Sequence, residues 1–497
     1  MATWYVNPSA ANDAGAGTSW GTAKKNISAV TPTAGDEIRV AKSTTTALTG
    51  TLTWTDGSTT VTTSADLTGV LSARQMISKT ADGSDGWWEV ASVTPATITL
   101  AFAYAGSSSA SASVRLDPFD VGSPASPTTT VQQISAAGSN GSPILLTGGW
   151  NTSTSLQDGQ THFWVSGASR NGTFSFANSY ATVSKIHLHR FGYGFYISNS
   201  STLNITINDC GSHSSGVYAA YLTGTRVTLT NFLAAGGSSG PYLVGYANAN
   251  ANVSVRGVTN YGIVLAGRQG RVDNLNVYRA NVGIQASGGD INTVVGGAVS
   301  RVSTGVAGNG GRTRVAEVAF DYATTVYSAA YGPLFISDCA VSNFTTLASA
   351  SSGGSINLDR HNTTAGDHRR IDGYGTVLRN PTGGKVGTPA VELQPSASTD
   401  FALPLEQSWP IPCQGGVARN IQVWLRRSAG WNGSAIKVGI RRMGDWVAPP
   451  TTVSSVGSAE WKQALASVTC PSDEAVELVV LADGTAGSVF ADDISWS

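Results

Sequence analysis

Apolar residues return along this chain at two spacings. On the short scale they alternate with polar ones: Leu203, Ile205 and Ile207, then Val227 and Leu229, Val253 and Val255, and Leu275 and Val277, with Thr, Ser, Asn and Arg between them. A period of two is the mark of a half-buried strand. On the long scale, a glycine followed by an apolar residue recurs at Gly194, Gly216, Gly240, Gly262, Gly283 and Gly305, with gaps of 22, 24, 22, 21 and 22 residues. Beyond Gly305 the glycine drops out, while the apolar beat continues at Val326 and Leu347. A unit of this length cannot bury its own apolar face and must stack on its neighbours, so the pattern predicts a solenoid. Helical repeats need about 33 residues or more with Ala, Leu, Glu and Lys at helical spacing, and the leucine-rich frame is absent. Two or three short strands per turn, separated by Gly, Ser and Asn bends, predict a parallel β-helix. With turns about 4.8 Å apart, roughly eight to ten of them would extend about 40–50 Å.

The rhythm changes along the chain, and the changes divide it. Residues 1–45 read as an opening strand, a short capping helix and the first coil strand; the cap covers strand edges that would otherwise recruit other chains. Residues 46–117 read as an inserted small β-barrel of five or six short strands joined by Asp-Gly turns. The coil resumes over 118–385, a Pro, Gly and Ser rich linker follows at 386–400, and strands spaced by turns over 401–497 predict a C-terminal β-sandwich. The expected class is therefore all-β: a right-handed parallel β-helix with an inserted small β-barrel and a C-terminal jelly-roll β-sandwich.

Composition narrows the function. Charged residues make up 12%, against roughly 25% in ordinary soluble proteins, and glycine alone accounts for 58 residues. The formal net charge is −1 and no basic run exceeds two residues, which argues against nucleic acid as a partner. No stretch approaches the roughly 18 apolar residues of a membrane span, and "MATWYVNPSA" has neither the basic region nor the apolar core of a secretory signal. Four cysteines are too few for a disulfide framework. Cys210 and Cys339 share a context about six turns apart and are expected to be too distant to bond. Cys413 and Cys470 are read as buried thiols, with a disulfide across the sandwich left open.

Sugar recognition needs flat aromatic faces and planar polar groups. In the C-terminal region Trp424 with Arg426, Lys437 with Arg441, and the loop residues Trp431 and Trp446 supply them; each tryptophan taken alone also reads as core. In "VFADDISWS" alternation sets Asp492 beside Phe490, Ile494 and Trp496, so its carboxylate needs a cation, a salt bridge or backbone amides. Asp359, Asp367 and Asp372 lie where charge concentrates at the end of the coil. They are the catalytic candidates for a glycan hydrolase or lyase, although charge at this place more often solubilises an exposed last turn, and the reading leans away from an enzyme while leaving it open. In "SKIHLHR" Lys185, His187 and His189 alternate on an outward face, read as solvated, with no third ligand visible for a metal.

Several of these stretches carry a family resemblance. Tyr5, Val6, Asp13, Gly17, Thr18, Ser19, Trp20, Thr22, Ala23, Gly35, Asp36 and Ile38 resemble the opening of many parallel β-helix proteins. "GSTTVTT", "GWWEVASV" and "TITLAFAYAG" resemble a small barrel that recurs in tailed-phage virion proteins, and "VFADDISW" resembles the last strand of jelly-roll carbohydrate-binding modules. Together they resemble a tailed-bacteriophage tailspike or fibre. That resemblance implies a homotrimer on the virion, made in the host cytoplasm, that contacts other virion proteins and attaches to host surface polysaccharide. It implies no cofactor other than a structural calcium at Asp492. Two alternatives stay open at this point: a polysaccharide depolymerase, and a virion decoration or adaptor that binds no glycan.

Overall fold

The computed structural model describes all residues except 81–85, 289–290, 351–354, 364–367, 373–374, 381–384, 386–389, 396–404, 443–444, 448 and 470–473. The described chain is almost wholly strand, with two single-turn 3-10 helices at Trp20–Thr22 and Ile27–Ala29 where a capping helix is expected. No helix among the described residues is long and apolar enough to cross a membrane. Two compact units, Met1–Gln285 and Ala286–Ser497, divide it.

The first unit is a parallel coil built from three files of strands. One file stacks Thr3–Val6, Glu37–Ala41, Ile144–Trp150, Ala181–Ser184 and Ile205–Asn208 in parallel register, then passes to Thr228–Gly237 and Ala249–Arg256. The second runs Phe119–Asp120, Thr161–Trp164, Ile186–His189 and Gly211–Ser215. The third runs Thr130–Ile134, Thr173–Phe176, Tyr193–Ile197, Tyr218–Leu222, Pro241–Leu243 and Tyr261–Leu265. Alternation becomes packing directly, since Ile38, Leu146, Val183, Ile207 and Leu229 stand on one another inside the coil, all buried. The next rung is Asn250, also buried; its Oδ1 accepts from Leu229 N at 3.0 Å and its Nδ2 donates to Arg271 O at 3.0 Å. A polar side chain is tolerated there because backbone groups of both neighbouring turns take up its amide.

The inserted segment forms an eight-stranded antiparallel sheet, more strands than expected, ordered Thr44–Ala47, Ser113–Asp117, Met76–Lys79, Trp88–Val93, Thr97–Leu100, Thr60–Thr63, Leu52–Trp54 and Ser109–Ser111. Its core holds Trp54, Trp88, Tyr104, Val61, Ile77 and Ile98, and it includes Ala235 of the coil, so the barrel packs on the coil's flank.

The second unit begins with further parallel coil. Ile291–Asn309, Ala319–Tyr331 and Ala340–Ala350 stack in parallel, as do Arg312–Ala316, Pro333–Ser337 and Ser355–Thr363. Parallel pairing ends there: His368–Asp372 and Gly375–Asn380 pair antiparallel with Ser355–Thr363 and Ala340–Ala350. Ala390–Pro395, within the stretch read as linker, is a strand paired with Gly375–Asn380 on one side and Val489–Trp496 on the other. Two antiparallel sheets follow. One orders Ala390–Pro395, Val489–Trp496, Ala418–Arg427 and Lys462–Thr469. The other orders His368–Asp372, Leu405–Cys413, Glu474–Ala482 and Ile436–Arg442. Between them lie Ile421, Val423, Leu425, Val438, Ile440, Val476 and Leu478, all buried. Cys210 and Cys339 are buried free thiols, as is Cys413, while Cys470 lies outside the described residues.

Candidate functional site

The strand Ala418–Arg427 positions the first candidates. Its apolar residues Ile421, Val423 and Leu425 face the core, which turns Gln422, Trp424 and Arg426 outward, half-buried. Lys385 Nζ stands 3.4 Å from the centroid of the Trp424 ring. The Arg426 guanidinium lies 5.1 Å from Trp461 and 5.0 Å from Phe490. Gln463 donates to Gln422, and Gln422 to Ser495. The result is a sheet face of indoles, two cations and two amides.

Asp492 pairs in register with Trp424 on this sheet, and its Oδ2 accepts from the backbone N of Lys385 at 2.8 Å. The expected alternation of Phe490, Asp492, Ile494 and Trp496 is broken by Asp493, whose φ of +50° puts a bulge in the strand, and Trp496 is 43% exposed. Among the described residues no group of three or more His, Cys, Asp or Glu side chains is placed to hold a metal ion.

Arg441 and Trp446 belong to the other sheet. They are brought together, with the guanidinium 4.2 Å from the ring, and the ring lies over Gly439, where a Cβ would meet it at 2.7 Å. Trp431 is only 9% exposed; its Nε1 donates to Asp483 O at 2.9 Å, and Gly433 and Gly487 close against it. It anchors two loops and presents no open face, because a loop indole with an apolar body is pulled inward wherever a carbonyl can take its N–H. The five glycan candidates thus separate into the pair Trp424 and Arg426, the pair Arg441 and Trp446 on the second sheet, and a structural Trp431. Of the catalytic candidates, Asp367 lies outside the described residues, and Asp359 and Asp372 are described by their backbone alone.

A second concentration of chemistry lies on the coil. His187 and His189 do point outward from the strand Ile186–His189, as alternation requires, yet they are 6% and 0% exposed because the inserted barrel covers them. His162 and His213 join them. His162 Nδ1 lies 2.8 Å from His189 Nε2, and His187 Nδ1 lies 3.3 Å from His213 Nε2. Burial pushes all four imidazoles down, His187 to about 4. The reading of a solvated strand face fails here because the covering segment is remote in sequence. A cleft of about 360 Å³ borders the cluster, lined by Trp87, Gln160, His187, Asp209, Asn252 and Arg256 among others.

No family model and no curated protein matches the sequence. Solved structures similar to part of the chain include a family 16 carbohydrate-binding module, at 15% identity and a TM-score of 0.19 over 24% of this chain and 84% of that one. The CBM22-1 xylan-binding domain from Paenibacillus barcinonensis Xyn10C matches at 12% identity and a TM-score of 0.20, over 25% of this chain and 82% of that one. TmCBM61, solved in complex with β-1,4-galactotriose, matches at 16% identity and a TM-score of 0.18, over 24% and 80%. At these scores the likeness sets no function for this chain.

Proposed function

We propose that this chain is a virion protein of tailspike or tail-fibre type, in which a parallel coil carries a glycan-binding sandwich and three copies engage polysaccharide on a bacterial surface. The observation that supports this reading is the outward face around Trp424. An indole, the cations of Lys385 and Arg426, and the amides of Gln422 and Gln463 stand together on one sheet. Apolar ring faces of a sugar stack on an indole, while amides and guanidinium groups take its hydroxyls. Such contacts are individually weak and gain strength through repetition, which a homotrimer supplies.

The test is to incubate the full chain with an array of bacterial capsular and lipopolysaccharide polymers, then measure both retention and polymer length. Retention with unchanged length is expected, and a Trp424→Ala variant should bind about tenfold more weakly at an unchanged melting temperature. A blank array overturns glycan binding. Shortened polymer replaces the adhesive reading with a depolymerase.

A further inference from the structure

The chain has six histidines, and four of them meet in one place. They do so because three consecutive rungs of one strand file carry them: His162 stands over His187, and His189 over His213. On an open coil these rings would face water. Here the barrel lies over them: the Trp87 ring meets His162 and His189 edge-on at 5.6 and 6.4 Å, and the Trp87 backbone N faces His213 Nδ1 at 3.3 Å. His189 and His213 stack at 4.9 Å, 11° from parallel. Among the described residues, His187 Nε2 and His189 Nδ1 are buried without a hydrogen-bond partner.

Among the described residues the acids nearest the cluster are Glu89 and Asp209. Glu89, a barrel carboxylate at this face, is tied to Arg190 at 2.9 Å and to Arg170 at 3.0 Å. Arg74 of the barrel donates to Ser166 O. On the coil side Asp209 borders the cleft and makes no ion pair among the described residues, while Lys185 at the neighbouring bend and Arg256 in the cleft add positive charge. A proton added to any ring would place a cation among three other buried imidazoles.

We propose that this cluster is an acid-released latch: uncharged imidazoles hold the inserted barrel against the coil, and protonation frees it. The sign follows from burial. The docked rings have proton affinities lowered from the ordinary 6.5, to about 4 at His187. Above the ordinary value docked and released states bind the same protons. Below it the released state binds more, so docking weakens as the pH falls from about 6.5 through about 4, by up to about tenfold per pH unit for each ring that protonates on release. The inference is independent of glycan binding.

Amide hydrogen exchange on the full chain tests it, with protection factors corrected for intrinsic rates and read between about pH 7.5 and about pH 4.5. Strands Thr161–Trp164, Ile186–His189, Gly211–Ser215 and Trp88–Val93 should lose protection by at least about tenfold, while Ala418–Arg427 keeps its own. A His162→Phe/His189→Phe variant, which preserves ring packing without the titrating nitrogens, should lose markedly less. Unchanged wild-type protection at the lower pH overturns the proposal, as does an equal loss in the variant. The imidazole Cε1–H resonances of the wild-type protein give a readout that needs no variant. Four should hold neutral shifts until protection falls, and ordinary titration of all six with the strands still protected overturns the latch.

Discussion

The glycines that mark the period are held by contact. Gly194, Gly240, Gly262 and Gly305 have ordinary backbone angles, but a Cβ at each would stand 2.1 Å from Ala219 O, 1.9 Å from Gly262 O, 2.4 Å from Gly283 O and 2.6 Å from Val326 O respectively. At these positions the carbonyl of the next turn occupies the side-chain direction, so the beat read in the sequence is the beat of stacking. Gly240→Ala should therefore destabilise the coil by about 1–3 kcal/mol or more, lowering the midpoint of denaturant unfolding. Gly69→Ala, where nothing lies within 4 Å, should stay within about 0.5 kcal/mol of wild type. Asp36 shows the same kind of local logic. Backbone N–H groups of Ala2 and Thr33, at 2.5 and 2.9 Å, hold its carboxyl down at about 2 and tie the first strand to the second turn. The motif that named Asp36 is legible from the sequence; its partners, drawn from either side of an unformed loop, are not.

At the level of elements, alternation carries far because it reports one thing, which side of a strand meets the core. It identifies Ile205, Ile207, Val253 and Val255 as inward, and all four are buried. It says nothing of what covers the outward side. His187 and His189 show this, since the segment that buries them lies about a hundred residues earlier in the chain. Composition misleads in a related way at 386–400, where Pro, Gly and Ser suggest a linker although Ala390–Pro395 is paired on both edges. The contact between barrel and coil also rests on a charge pair that neither element needs alone. Glu89 and Arg190 have side chains 5% and 2% exposed and meet at 2.9 Å. Glu89→Gln should cost about 3–5 kcal/mol, because Arg190 then stays buried with its charge uncompensated. Hydrogen exchange should locate that loss at the barrel and the strand Ile186–His189 at neutral pH, before any histidine titrates.

For the whole molecule, the adhesive proposal depends on copy number as much as on any single face. The Trp424 ring has a lysine amine 3.4 Å from its centroid, so a sugar arriving there must share or displace that cation, which limits what one site gains. With three linked sites, the second and third contacts become intramolecular, and their effective concentration can raise avidity by about 10²–10⁴ without a new contact. The coil has a flank suited to association: Tyr196, Tyr221 and Tyr242 stack rung upon rung, with Tyr193 and Tyr218 beside them, all half-buried. Stacking gathers these half-buried rings into one aromatic strip, which a second copy would cover provided that it pairs their hydroxyls. Sedimentation equilibrium should accordingly return three times the 51.1 kDa chain mass. With only 12% charged residues, the assembly should change little with ionic strength, since few screened ion pairs are available to hold it. A monomer at working concentration would remove the multivalent mechanism even if the sandwich alone bound sugar.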